Sequence, residues 1–332
     1  MGGEDSRDSR QSRRRGDEKA KGGVTKMGVI ALEWLRRIYD EAPHNAFTDL
    51  TEFKGQYFVA FRTGSDHASF DGEIRVMASK DLENWQEVAV LSTPDDDRDP
   101  HFAVFRGGLF LYFACRQKSD PEGDRTMCAL SEDGRRFTKP KRIFRKSNRL
   151  WRPKALGALL YCASYEVKGR WRSLLLESKD GLSWREVSTI HDREMANETE
   201  LLPLPDGSLL ALVRREAPPR TALLCRSRPP FAEWEKHDTK VVLQGPAMSF
   251  WGREIIICAR FYDRGRPYTG LFALNVGRDL SRAEILHLFT LPSGGDTSYA
   301  GLLPLDEQRL LISYYSSHEG RSSIYLALLK RV

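Results

Sequence analysis

Ser178-Lys179-Asp180-Gly181-Leu182-Ser183-Trp184 is a short turn with a legible chemistry. An Asp in a tight turn accepts hydrogen bonds from the backbone N–H groups just after it, a Gly relaxes the turn, and an aromatic ring packs beneath. The same spacing of Ser, Asp and aromatic returns at Ser79, Asp81 and Trp85, and again at Ser131, Asp133 and Phe137. Degenerate copies lie between Ser227 and Trp234 and around Asn275. Between these turns runs a second signal, a bend followed by an apolar run that often stops at Arg or Tyr. Its centres are Gly55, Gly107, Gly157, Gly207, Gly252 and Asp306, at intervals of about 50 residues.

A period of that length along the whole chain predicts an all-β ring of small sheets, because one such sheet cannot bury both faces without a neighbour on each side. Six bends predict a six-bladed β-propeller over residues 27–332. In the first blade Asn45 to Leu50 reads as an inner strand, Tyr57 to Arg62 as the second and Glu73 to Ala78 as the third. Ser323 to Leu328 and Val29 to Tyr39 have no partners in this linear pattern. A closed ring leaves no open edge, so Val29 to Tyr39 is expected to complete the last blade as a strand; a helix over Leu32 to Tyr39 is the competing reading.

Composition narrows the functional classes. The formal net charge of +6 suggests nucleic acid until it is divided by region. Residues 1–26 carry eight Arg or Lys against five Asp or Glu, so half of the excess sits there and the body is nearly neutral. That segment is almost free of apolar side chains and reads as a disordered basic tail. It lacks the apolar stretch of a secretory leader, and no run is long enough to cross a bilayer, which together read as a cytoplasmic protein with neither nucleic-acid nor membrane partners. Cys115, Cys128, Cys162, Cys225 and Cys258 lie in or beside apolar runs without metal or redox spacing, as buried free thiols would. No phosphate cradle, zinc-ligand spacing or Gly-x-Ser-x-Gly elbow is present, so no metal or cofactor is expected. Asp95-Asp96-Asp97 lacks the alternation of a calcium loop and reads as a solvated loop.

The Ser-x-Asp turns resemble the Asp boxes, or BNR repeats, of sialidase-like propellers, and the resemblance extends from about residue 30 to the C-terminus. It implies a glycoside hydrolase fold, and Asp boxes by themselves imply no catalysis.

Where the inner strands begin, the chain carries charged or aromatic residues instead of plain core: His44-Asn45, Arg98-Asp99, Trp151-Arg152, Asn197-Glu198, Gly245-Pro246 and Asp296-Thr297-Ser298-Tyr299. The second strands end at Arg62, Arg116, Arg214, Arg215 and Arg260. So many cations facing one funnel would repel one another unless carboxylates or an anionic ligand stood among them, which suggests an acidic sugar as the partner. Any single one of these arginines also reads as a surface residue at a strand end.

The resemblance assigns roles. The blade with Glu198 opening one strand and Arg214 closing the next looks like the sialidase blade in which a Glu polarises the nucleophile and an Arg binds the substrate carboxylate. Tyr299 matches the tyrosine nucleophile, the recognised exception to the two-carboxylate scheme; the plain alternative is a core tyrosine. A phenol with a pKa near 10 is a poor nucleophile until a neighbouring carboxylate takes its proton. The loop after Arg62 is expected to supply the general acid, Asp66 first and Asp71 next, with His67 sharing the role or capping the loop. His44-Asn45-Ala46-Phe47 stands where sialidases have their first clamp arginine. Arg62, Arg98 or Arg152 is expected to compensate, and Arg260 or Arg266 to act as the third arginine. Asp296 and Tyr315 are expected to line the sugar site, and Tyr314, His318 and Glu319 either line it or shape a loop. The function implied is retaining exo-hydrolysis of a terminal acidic sugar; a carbohydrate-binding propeller without turnover is the alternative.

Overall fold

The structure is a computed structural model that describes residues 28–332 except 121, 122, 168 and 170. The charged segment 1–26 lies outside the described residues. Twenty-four strands form six four-stranded antiparallel sheets. The first blade comprises β2 (His44–Phe53), β3 (Gln56–Gly64), β4 (Glu73–Ser79) and β5 (Gln86–Leu91), and the second β6 (Asp96–Phe105), β7 (Gly108–Arg116), β8 (Arg125–Ser131) and β9 (Lys141–Ile143). The third comprises β10 (Asn148–Leu156), β11 (Leu159–Glu166), β12 (Ser173–Ser178) and β13 (Trp184–His191). Next come β14 (Ala196–Pro203), β15 (Leu209–Arg215), β16 (Leu223–Ser227) and β17 (Glu235–Asp238), then β18 (Gln244–Trp251), β19 (Glu254–Asp263), β20 (Arg266–Asn275) and β21 (Glu284–Thr290). The sixth blade takes β22 (Thr297–Pro304), β23 (Arg309–Ser316) and β24 (Ser323–Arg331), and its outer strand is β1 (Ile30–Tyr39), from the other end of the chain. The ring is therefore closed by a strand, as its unpartnered apolar pattern predicts, and the helical reading of 32–39 is excluded.

The sheets stack through six apolar clusters, one between each pair of neighbouring blades. Removing both faces of each sheet from water is what stabilises a ring of units too small to fold alone. The Ser-x-Asp turns brace these seams. In the third blade Asp180 Oδ1 accepts from the N–H groups of Leu182 (2.8 Å) and Ser183 (2.7 Å), and the Gly181 carbonyl accepts from the Tyr112 hydroxyl of the preceding blade at 2.8 Å. All five cysteines are buried and free. No helix among the described residues is long and apolar enough to cross a membrane.

One irregularity recurs in every inner strand. Each loses register near its start, between Ala46 and Asp49, Arg98 and His101, Trp151 and Lys154, Ala196 and Thr199, Gln244 and Ala247, and Ser298 and Gly301. Phe47, Asp99, Arg152, Gly245 and Tyr299 occupy these bulges with positive φ. A bulge places two residues opposite one and re-aims the side chains around it. Six bulges at one end of the axis thus set the shape of the cup there.

Candidate functional site

At the base of the cup, Tyr299 sits in the left-handed region with φ +49° and follows Ser298 at φ +106°. Strained backbone of this kind persists where the surroundings over-determine it. Here the surroundings are rings: Phe47 (5.2 Å between centroids), Trp151 (6.0 Å) and Tyr315 (6.2 Å) enclose the phenol. Its hydroxyl donates to Glu198 Oε1 at 2.7 Å and accepts from Arg214 Nη1 at 3.0 Å. The same guanidinium nitrogen reaches Glu198 Oε2 at 2.6 Å, which also accepts from the N–H of Gly245 at 3.1 Å, and Glu216 holds the other end of Arg214. On the far side of the ring stands Arg260, 5.4 Å from the centroid.

Electrostatics fix the protonation state of this pair. Burial works against the charge of Glu198, but Arg214, the bond from Tyr299 and Arg260 outweigh it and hold the carboxyl below its ordinary range. Burial and the Glu198 charge push the Tyr299 phenol up, against the pull of Arg214 and Arg260. The proton therefore rests on the phenol, which donates it to an ionised carboxylate.

A second group converges on Asp296. Its Oδ1 accepts from the Tyr315 hydroxyl at 2.8 Å and from Arg260 Nη2 at 3.3 Å. Its Oδ2 meets His44 Nε2 at 2.9 Å and His67 Nδ1 at 2.6 Å. Burial raises its pKa, and the hydrogen bonds of the two imidazoles more than reverse this, leaving it far below the usual carboxylate range. Arg98 lies 4.7 Å over the Phe47 ring and ion-pairs with Asp96 and Asp99. Beyond Asp99, Arg149 joins Asp99, Asp124 and Tyr165 into one wall.

The site therefore unites Tyr299, Glu198, Arg214, Arg260, Asp296, Tyr315 and His67, with Arg98 alongside. Other expected members stand elsewhere. Arg62 is wholly buried; it binds Asp96 Oδ1 (2.8 Å) and the carbonyls of Asp66 (3.0 Å) and Ser69 (3.1 Å), so it anchors the loop instead of facing a ligand. Arg152 lies behind the tyrosine, donating to the Ala300 carbonyl at 2.8 Å and pairing with Asp49, because the bulge turns it down the axis. It lines a separate cavity of about 230 Å³ with Asp49, Lys154 and Glu200. Arg266 is exposed on the β19–β20 hairpin, outside the bonded cluster. Asp66 is exposed, and its carboxylate accepts from the N–H of His67 at 2.7 Å. Asp71 accepts from the Ser65 N–H, and hydrogen bonds from Ser69 and Ser65 lower its pKa to about 2, so it is ionised at neutral pH and holds no proton to donate. Asp96 and Asp97 are buried, which corrects the solvated-loop reading of 95–97: Asp96 ion-pairs with Arg62, Arg98 and Arg116. Of the Tyr314, His318 and Glu319 group, Tyr314 donates to the Pro292 carbonyl and Tyr325 to Glu319, so these shape the strand end. Arg149, Asp124, Tyr165 and Glu216 escape sequence reasoning. The available signal is a spacing of two, since Glu216 follows Arg214 just past the end of β15 and Arg149 precedes Trp151 on one face of β10.

The BNR repeat-like domain family matches residues 55–247, more than half of the chain. The protein belongs to that family. No curated protein matches this BNR-family chain. Among solved structures it resembles a protein of unknown function from Dyadobacter fermentans, with a TM-score of 0.76 at 17% identity, covering 91% of this chain and 99% of that one. The α-L-arabinanase of Penicillium chrysogenum, solved with arabinobiose, aligns with a TM-score of 0.64 at 14% identity over 90% of this chain and 97% of its own. The NanB sialidase of Streptococcus pneumoniae aligns with a TM-score of 0.68 at 11% identity over 90% of this chain and 70% of its own. At these identities the likeness is one of fold, the six-bladed sialidase-like propeller that glycoside hydrolases use.

Proposed function

We propose that the protein is a retaining exo-glycosidase in which Tyr299 attacks the anomeric carbon of a terminal sugar, with an acidic sugar such as a sialic acid as the substrate class. The observation that carries the reading is the 2.7 Å hydrogen bond from the Tyr299 hydroxyl to Glu198. A tyrosine nucleophile requires a base within hydrogen-bond reach of its hydroxyl, and the ionised Glu198 meets that requirement. In the first half-reaction the phenol oxygen bonds to the anomeric carbon, its proton passes to Glu198, and the bond to the leaving oxygen breaks. Arg214 steadies the phenoxide character that develops, since its Nη1 touches both partners. Arg214 at the hydroxyl and Arg260 over the ring are the two arms for a sugar carboxylate, and His44-Asn45-Ala46-Phe47 stands where sialidases have the first-blade arm of the clamp.

The test is a panel of aryl glycosides of sialic acid, other ulosonic acids and uronic acids, run beside Tyr299→Phe. Turnover of at least one by the natural protein, falling about 10³-fold or more in the variant, supports the nucleophile. Release unchanged by Tyr299→Phe overturns it, and saturable sugar binding without release from any glycoside favours a carbohydrate-binding propeller.

A further inference from the structure

The mechanism above leaves the leaving-group proton without a donor, since Asp66 faces its own loop and Asp71 is ionised. One titratable side chain on that loop does enter the cup. The His67 side chain is 45% exposed, its ring stands edge-on to Phe47 at 5.2 Å and to His44 at 5.3 Å, and Phe47 also meets the Tyr299 ring at 5.2 Å. Its Nδ1 is fixed on Asp296 Oδ2 at 2.6 Å. An ionised carboxylate only accepts, so Nδ1 carries the hydrogen there, and Nε2, across the ring, is directed away from Asp296 without a protein partner among the described residues. The loop is held in place by Arg62 from below and by Arg116, which donates to the Ala68 and Ser69 carbonyls. Asp296 is itself held by Tyr315, Arg260 and His44.

We propose that His67 is the acid–base catalyst of this cup and that Asp296 is the positioning residue fixing its tautomer; this rests on the glycosidase reading. As the imidazolium, His67 gives its Nε2 proton to the glycosidic oxygen while the C–O bond breaks, so the leaving group departs as an alcohol. The neutral ring keeps the proton on Nδ1. In the second half-reaction Nε2 takes a proton from the attacking water, the bond from the anomeric carbon to the tyrosine oxygen breaks, and Glu198 returns the proton to the phenol. Every group ends as it began, and one water is consumed.

Two imidazoles and a carboxylate also invite comparison with a divalent-metal site. Two features favour proton transfer. A metal-bound histidine donates its other N–H to a partner, and His44 Nδ1 is buried with none. Arg260 already neutralises Asp296, which disfavours a second cation there.

Long-range ¹⁵N–¹H correlation on the full-length protein with labelled histidine, assigned through His67→Gln, reads the tautomer directly. The expectation is the Nδ1–H form for neutral His67, lost in Asp296→Asn. An Nε2–H form, or stoichiometric zinc binding that shifts His67 and His44 together, overturns the proposal. Kinetics give an independent arm with aryl glycosides of poor and good leaving groups. His67→Gln is expected to slow the poor leaving groups about 10²-fold more than the good ones, which need no acid. Equal slowing of both overturns the acid role. Rates that survive Tyr299→Phe while keeping this leaving-group signature would sink the nucleophile and spare His67; without turnover, the tautomer alone decides.

Discussion

Asp97 and Asp96 are neighbours in sequence and opposites in chemistry. Asp96 is surrounded by Arg62, Arg98 and Arg116, while Asp97 is buried against Thr93, whose N–H (2.6 Å) and hydroxyl (2.9 Å) are its hydrogen-bond partners. Burial therefore dominates at Asp97 and raises its pKa from 3.8 to about 7. A carboxyl raised in this way binds a proton in the folded state that the unfolded chain has already released. Its contribution to stability is present in full below about pH 4 and falls as the pH climbs through 7, by about 4 kcal/mol at the upper bound. Asp97→Asn keeps an acceptor for the Thr93 N–H and removes the titration. The melting temperature of the variant relative to the natural protein is expected to rise between pH 5 and 8. A difference that stays flat over this interval would show that Asp97 is ionised throughout.

The turns that brace the blades make a sharper comparison at the level of the element. Gly181 has φ +77°, and a Cβ there would come within 2.7 Å of Phe110 Cε1 and 2.9 Å of the Tyr112 hydroxyl. Gly157, a hairpin glycine at φ +61°, has nothing within 4 Å. Both positions carry the left-handed penalty of about 1 kcal/mol for an alanine, but only Gly181→Ala adds the overpacking of a seam, about 1–3 kcal/mol more. Denaturant midpoints of the two variants at equal m-value measure the gap, and equal losses would mean that the turn does not brace the seam. This turn was legible in the sequence because its chemistry lies within seven residues. The meeting of Tyr299, Glu198 and Arg214 was legible for a related reason, since each marks the end of a strand that a propeller must direct to the axis. Arg62 and Arg152 misled because strand-end position fixes the end of the ring but not the direction of the side chain. At Arg152 a bulge turns it away from the cup. The burial of Asp96 was hidden for want of its partners, which include an arginine 34 residues earlier on another blade.

At the scale of the whole molecule, the ring depends on one strand borrowed from the opposite end of the chain. β1 pairs with β24 from Ile30 opposite Arg331 to Tyr39 opposite Ile324. Register shifts between Leu32 and Trp34 and between Arg37 and Tyr39 change which of its positions face each side of the blade. Ile30, Leu32 and Leu35 pack into the cluster shared by the fifth and sixth blades, and Trp34, Ile38 and Tyr39 into the one shared by the sixth and first. The second of those clusters also holds Phe47, Trp151, Tyr299 and Tyr315, the rings around the phenol. Loss of β1 therefore thins two seams, one of them holding the rings around the phenol, and bares the β24 edge. Partial burial of six large apolar side chains amounts to about 5 kcal/mol or more, comparable with the whole stability of a typical domain. A chain beginning at Glu41 is expected to unfold without a cooperative transition or to pair through its open edge into dimers and larger species. Light scattering after size exclusion, with thermal unfolding, distinguishes these outcomes from a monomer. A peptide spanning residues 28–40 added in trans should restore the monomer and its cooperative transition, since it supplies the missing strand and both apolar faces. A truncated chain that stays monomeric with an unchanged melting temperature would show that the ring closes without β1, and the enclosure of Tyr299 would then need another explanation.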